Sequence, residues 1–63
     1  MSELVLSVPD EALTALQQNG LGAGEALKMA AAVKFYEMGR LSSGAAAELA
    51  GIPIPDFLAR LAD

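Results

Sequence analysis

Between Ala31 and Ile52 the chain alternates apolar helical stretches with glycine stops, and this rhythm limits the fold more than any other feature. Gly39 suits the left-handed residue that closes a helix. Ser42 is placed to cap a new helix, because its hydroxyl can accept from N–H groups that a first turn leaves free. Ala46, Leu49 and Ala50 give that helix its inward face, and Gly51 ends it. Ile52-Pro53-Ile54-Pro55-Asp56 opens another, with Pro55 in the first turn and Asp56 at the positive end of the dipole. Phe57, Leu58 and Leu61 form its inward face. The pattern predicts a helix-turn-helix from about Ser43 to Leu61, with small Ala47 at the crossing, Gly51 at the corner and Ile52 burying it.

The longest predicted helix precedes this pair, from Glu25 to Met38. Leu27, Ala30, Ala31, Phe35 and Met38 form one apolar stripe, and Met29, Val33 and Tyr36 another. Apolar residues on more than one face imply burial on more than one side, one toward the core and one toward a partner. Lys34 and Glu37 stand near each other on the solvent side. Upstream, Gly20-Leu21-Gly22-Ala23-Gly24 reads as a linker. It lacks the preceding parallel strand and the Lys-Ser/Thr pair of a phosphate-cradling loop. A short helix starts at Pro9, carries Asp10 and Glu11 at its positive end and Ala12, Leu13 and Leu16 on its apolar face, and breaks at Asn19-Gly20.

Leu4, Leu6 and Val8 alternate with Glu3, Val5 and Ser7, which predicts a short N-terminal strand. A lone strand leaves its backbone groups unpaired, so pairing with the same strand of a second chain is expected; an extended tail on the helices is the alternative. The fold class is therefore mainly α: one strand followed by about four helices, in a single domain over 1–63, with 1–8 as a dimerisation arm and 9–63 as the helical body.

A chain of 63 residues is near the lower limit for an independent core, and with no Cys and no His it has neither disulfides nor the usual zinc ligands. A homodimer is the remaining device. Its candidate interface is Leu4, Val5, Leu6 and Val8 of the arm with Met29, Val33 and Tyr36 of the long helix.

Eight acids against four bases give a net charge of −4. That balance disfavours sequence-independent nucleic-acid binding and attraction to anionic membranes. No segment reads as a secretory signal or a membrane span, so a cytoplasmic protein is expected. The scattered acids form no pair for acid–base work or for a hard cation, and the usual nucleophile–base sets cannot be built. No enzyme, cofactor, metal or small-molecule substrate is expected.

On the predicted second helix of the pair, Arg60 is the single base, against Asp56. Arg60 and Arg40 are the candidate phosphate or base contacts, and Ser42 a contact through the helix start. Ser43, Ile54 and Asp56 complete the candidate DNA face. Each has a plainer role as well: Arg40 offsets the negative end of the preceding helix, and the pair can be an ordinary helical corner.

Several stretches together carry a family likeness. They are Leu4-Val5-Leu6-Ser7-Val8-Pro9, the pattern Ala-Ala-x-Lys-x-Tyr-Glu-x-Gly over Ala31 to Gly39, Leu41-Ser42-x-Gly44-x-Ala46-Ala47-Glu48-Leu49-Ala50-Gly51, and Phe57-Leu58. On these, nearly the whole chain resembles the UPF0175 family of small prokaryotic proteins, many of which look like antitoxins of toxin–antitoxin pairs. The resemblance implies a dimer with an N-terminal strand, a helix-turn-helix body and a role as DNA-binding regulator or antitoxin. By position, Ser42 to Gly51 would be the first helix of the motif and Ile54 to Leu61 the second. Family members usually continue past the position of Asp63 into a segment expected to engage a partner. Operator DNA and a cognate toxin are thus the expected partners. A protein-interaction module without DNA binding, held through the two-sided helix and suited by its acidity to a basic toxin, is the rival reading. A purely structural dimer is the third.

Overall fold

The computed structural model describes residues 2–17 and 22–62, which form four α-helices: α1 (Asp10–Leu16), α2 (Ala23–Glu37), α3 (Ser43–Ala50) and α4 (Ile54–Leu61). The mainly α expectation holds. Asn19-Gly20, expected to break α1, and Leu21 of the expected linker lie outside the described residues.

The boundaries follow from local chemistry. Pro9 sits one position earlier than expected, as the N-cap of α1, and Asp10 and Glu11 fill the first turn. The Thr14 hydroxyl donates to the Asp10 carbonyl at 3.1 Å. Leu16 is half-buried, but Ala12 and Leu13 are exposed, so the expected apolar face of α1 is only partly covered. Helix α2 starts at Ala23, so the last two residues of the expected linker are helical. Its other end is a paired-bond glycine closure: at Gly39, φ 76°, the Gly39 N–H donates to the Tyr36 carbonyl at 3.0 Å and the Arg40 N–H to Phe35 at 2.8 Å. Gly51, φ 77°, closes α3 in the same way, its N–H donating to Glu48 at 3.1 Å and that of Ile52 to Ala47 at 3.1 Å. Two left-handed glycines thus turn the chain twice within a short span.

Among the described residues there is no β-strand. The expected N-terminal strand is corrected to an irregular arm over 2–9. The physical reason is that a strand is defined by its ladder, and no second extended segment among the described residues completes one. Leu4, Val5 and Leu6 of the arm are exposed, and Val8 is half-buried.

The core is thin. Its buried members are Ala32 of α2, Ala46, Ala47 and Ala50 of α3 and Phe57 of α4. Met29, Val33, Tyr36, Leu41, Leu49, Ile52 and Leu61 pack around them, half-buried. The four alanines let α2 approach α3, and α3 approach α4, closely, and the Phe57 ring is buried among them. Tyr36 meets that ring edge-on, with centroids 5.7 Å apart and planes at 87°. Such an edge-to-face pair adds about 1 kcal/mol beyond area burial. No helix among the described residues is long and apolar enough to cross a membrane.

Two predictions follow from this packing. Phe57→Ala should abolish the cooperative thermal transition followed by circular dichroism. Truncating a buried Phe costs about 3–5 kcal/mol, much of the total stability of so short a chain. The glycines should split by position. Gly39→Ala forces a Cβ into the left-handed region and should lower Tm, although nothing crowds the site. Gly24→Ala, in helix α2 with open space around the new Cβ, should raise Tm by roughly 4 °C, the effect of about 0.5–1 kcal/mol. Equal shifts of the same sign would refute the φ-based reading.

Candidate nucleic-acid interface

Helices α3 and α4 are joined by a short corner at Gly51, where the sequence predicts a helix-turn-helix. Ala47, essentially inaccessible, lies where the second helix crosses the first, and a larger side chain there would separate them. Gly51 turns the corner, and Ile52 follows it half-buried against the core. Phe57 and Leu61 anchor α4. Leu58, expected on the inward face, is instead exposed, the inward side of α4 being taken by Phe57 and Leu61. Arg60 points to solvent next to the half-buried Leu61, so it does not occupy an inward apolar position.

The start of α3 is built as expected. Ser42 lies outside the helix in extended backbone, and its hydroxyl accepts a hydrogen bond from the Ala45 N–H at 3.1 Å. That bond engages one of the free N–H groups of the first turn and fixes the direction in which the rest emerge. Ser42 is exposed and Ser43 half-buried. Gly44 lies under α4: a Cβ there would sit 3.8 Å from the Ile54 side chain, an ordinary van der Waals approach. Ile54 therefore braces α4 against the start of α3 while remaining 44% exposed.

The outward side of α4 presents Asp56 and Arg60, one turn apart and both exposed. With Ile52 and Ala59 they line a shallow groove of about 340 Å³. Arg40 is also exposed, in the turn between α2 and α3, just before the Ser42 cap. The six residues expected at a DNA face thus fall on three connected pieces: the turn before α3, the first turn of α3, and α4. Arg60 is the only cation on α4.

The residues expected at a dimer interface divide differently. Leu4, Val5 and Leu6 stay exposed on the arm, whereas Met29, Val33 and Tyr36 pack against the core of their own chain. The Tyr36–Phe57 pair is the feature that residue-type reasoning missed. Its signal was the shared helical register of Ala32 and Tyr36, one turn apart on α2, which sets the single tyrosine beside a buried alanine.

The model of the family described as Uncharacterised protein family (UPF0175) matches residues 1–63. The chain belongs to the UPF0175 family. No curated protein and no solved structure matches it. The family match covers the arm, the glycine closures and the helix pair together, so the UPF0175 pattern is a pattern of the whole fold rather than of one motif.

The cap supplies a direct test of how the site is held. Ser42→Ala should lower stability by about 1 kcal/mol, read as a Tm decrease of roughly 4–8 °C. Ser42→Asp, which restores an acceptor at the cap, should recover most of the loss. If Ser42→Ala leaves Tm unchanged, the hydroxyl does not organise the start of α3.

Proposed function

We propose that this UPF0175 chain is a DNA-binding transcriptional regulator of the antitoxin kind, acting as a homodimer and without enzymatic activity. The observation that carries the reading is the α3–Gly51–α4 corner, braced by Phe57 beneath and leaving Arg60 of α4 outward, with Arg40 and the Ser42 cap on the approach side. A helix held this way can be set against a duplex with its outer residues toward base edges and its flanks toward phosphate. Ser42, Ser43, Ile54 and Asp56 border that surface. The single domain over 1–63 acts as one DNA-reading unit per protomer, in the cytoplasm.

A second reading is favoured by one specific observation. A net charge of −4 and a lone cation on α4 suit a basic protein partner, such as a nuclease toxin, better than they suit phosphate. In that case the helix pair is a packing corner only.

Fluorescence anisotropy separates the two. The protein is titrated against DNA from upstream of its own coding region and against a random duplex, across a salt series. The regulator reading expects tighter binding to the upstream DNA. Two arginines per protomer give a log–log salt slope of about −4 for the dimer. Arg60→Ala should weaken specific binding and reduce that slope by about 2, and Arg40→Ala should reduce it similarly. Equal affinity for both duplexes at low salt would end the regulator reading. Co-purification of a basic protein would then support the second.

A further inference from the structure

We propose that Asp56 is the residue of α4 that selects a base. Its carboxylate accepts from the N4 amino group of a cytosine in the major groove and repels bases that present acceptors there, while Arg60 holds phosphate. The proposal rests on the regulator reading above and names the specificity-determining group of that same site.

In the eight residues of α4, Ile54-Pro55-Asp56-Phe57-Leu58-Ala59-Arg60-Leu61, only Asp56 and Arg60 have polar side chains. Phe57 and Leu61 take the inward side. Helical spacing then sets Pro55, Asp56 and Ala59 on the outward side with Arg60 beside them, and all four are exposed. Asp56, Ala59 and Arg60 line one shallow groove with Ile52. Ala59 is small, so the outward side can approach a surface closely. Any side-chain hydrogen bond from α4 to a base edge therefore passes through one carboxylate or one guanidinium.

The two groups differ in position. A recognition helix enters the major groove with its N-terminal residues toward the base edges. Asp56 lies in the first turn of α4 and Arg60 in the last, about 6 Å farther along the axis. Asp56 is thus the group set toward the bases, and Arg60 the one set toward the backbone. A carboxylate at a base edge is selective, because it only accepts. Cytosine presents its N4 amino donor to the major groove. Guanine and thymine present acceptors at O6, N7 and O4, and the N6 donor of adenine stands beside the N7 acceptor. Asp56 therefore fits cytosine and is repelled elsewhere. The charge balance sharpens the choice. In a chain of net charge −4, an acid facing the duplex weakens binding to every sequence, and a cytosine in register offsets that loss. Discrimination then comes from rejection as much as from attraction. Asp56 also stands at the positive end of the α4 dipole, a role that alone would affect stability and leave base preference untouched.

The test selects duplexes with a randomised central segment on the full chain and reads the bound fraction by sequencing. The wild type should enrich a motif with cytosine at a fixed position. Asp56→Asn keeps the size of the side chain and adds a donor, so the preference there should move to adenine, which pairs with Asn through N6 and N7. Asp56→Ala should reduce discrimination at that position by about tenfold and keep the rest of the motif. It should also bind a random duplex at low salt about twofold more tightly, because a like charge has gone. Arg60→Ala should weaken binding to every sequence and leave the motif unchanged. Both Asp56 variants should melt cooperatively, since the side chain is exposed. An unchanged motif in both, or an Asp56-dependent base other than cytosine, would overturn the proposal and leave the regulator reading standing. So would loss of the whole motif in Asp56→Asn, the mark of a residue that only positions α4. A wild type that enriches no motif would end both.

Discussion

Everything in this fold depends on one ring. Among the described residues Phe57 is the only large side chain that is wholly buried, and it stands in the core with buried alanines of α2 and α3. Around it, alanines do the opposite work: they occupy little volume, so the backbones come close around the ring. Tyr36 closes the arrangement edge-on. The orientation of α4, and therefore of Arg60, is inherited from how this ring is gripped. A scaffold of this kind is exact in direction but weak in total energy, because alanine burial removes little apolar area from water.

That weakness gives the rest of the molecule its character. The two glycine closures and the Ser42 cap each contribute at the scale of 1 kcal/mol, small beside a normal core but substantial beside this one. They also set the angles at which α2 meets α3 and α3 meets α4. Local chemistry therefore determines the shape as much as burial does. A helix with apolar residues on more than one face is expected to be covered on more than one side, and α2 is packed on by both α3 and α1.

How much could be read from residues alone follows the same division. Gly39, Ser42, Gly51 and Pro55 announce themselves, because each is a residue type with a specific backbone consequence, and the helix boundaries near them were legible. Leu58 was not, since its spacing fits the inward face of α4, the side that Phe57 and Leu61 take. The arm failed for a different reason. Alternation at Leu4, Leu6 and Val8 reports that one side is apolar, but a strand requires a ladder partner, and periodicity in one segment says nothing of whether a partner exists. The two stripes of α2 were both visible, yet which faces the core depends on where α3 docks. That contact rests on Ala32 opposite the α3 alanines, and alanine is too common in helices to mark a packing position.

The site poses a question of magnitude rather than of geometry. A net charge of −4 opposes a polyanion at long range, but at physiological salt charges are screened beyond about 8 Å. What a docked helix feels is therefore local. On α4 that local charge is Arg60 against Asp56, one turn away, and in the preceding turn Arg40 adds to it. A single such surface offers too few cations to hold a duplex by phosphate contacts alone. In the proposed homodimer, two surfaces related by a two-fold axis would double the contacts and let half-site spacing add discrimination that charge does not provide. On the proposed regulator reading, the sparse positive charge thus calls for a second copy to complete recognition, because one surface alone carries too few cations.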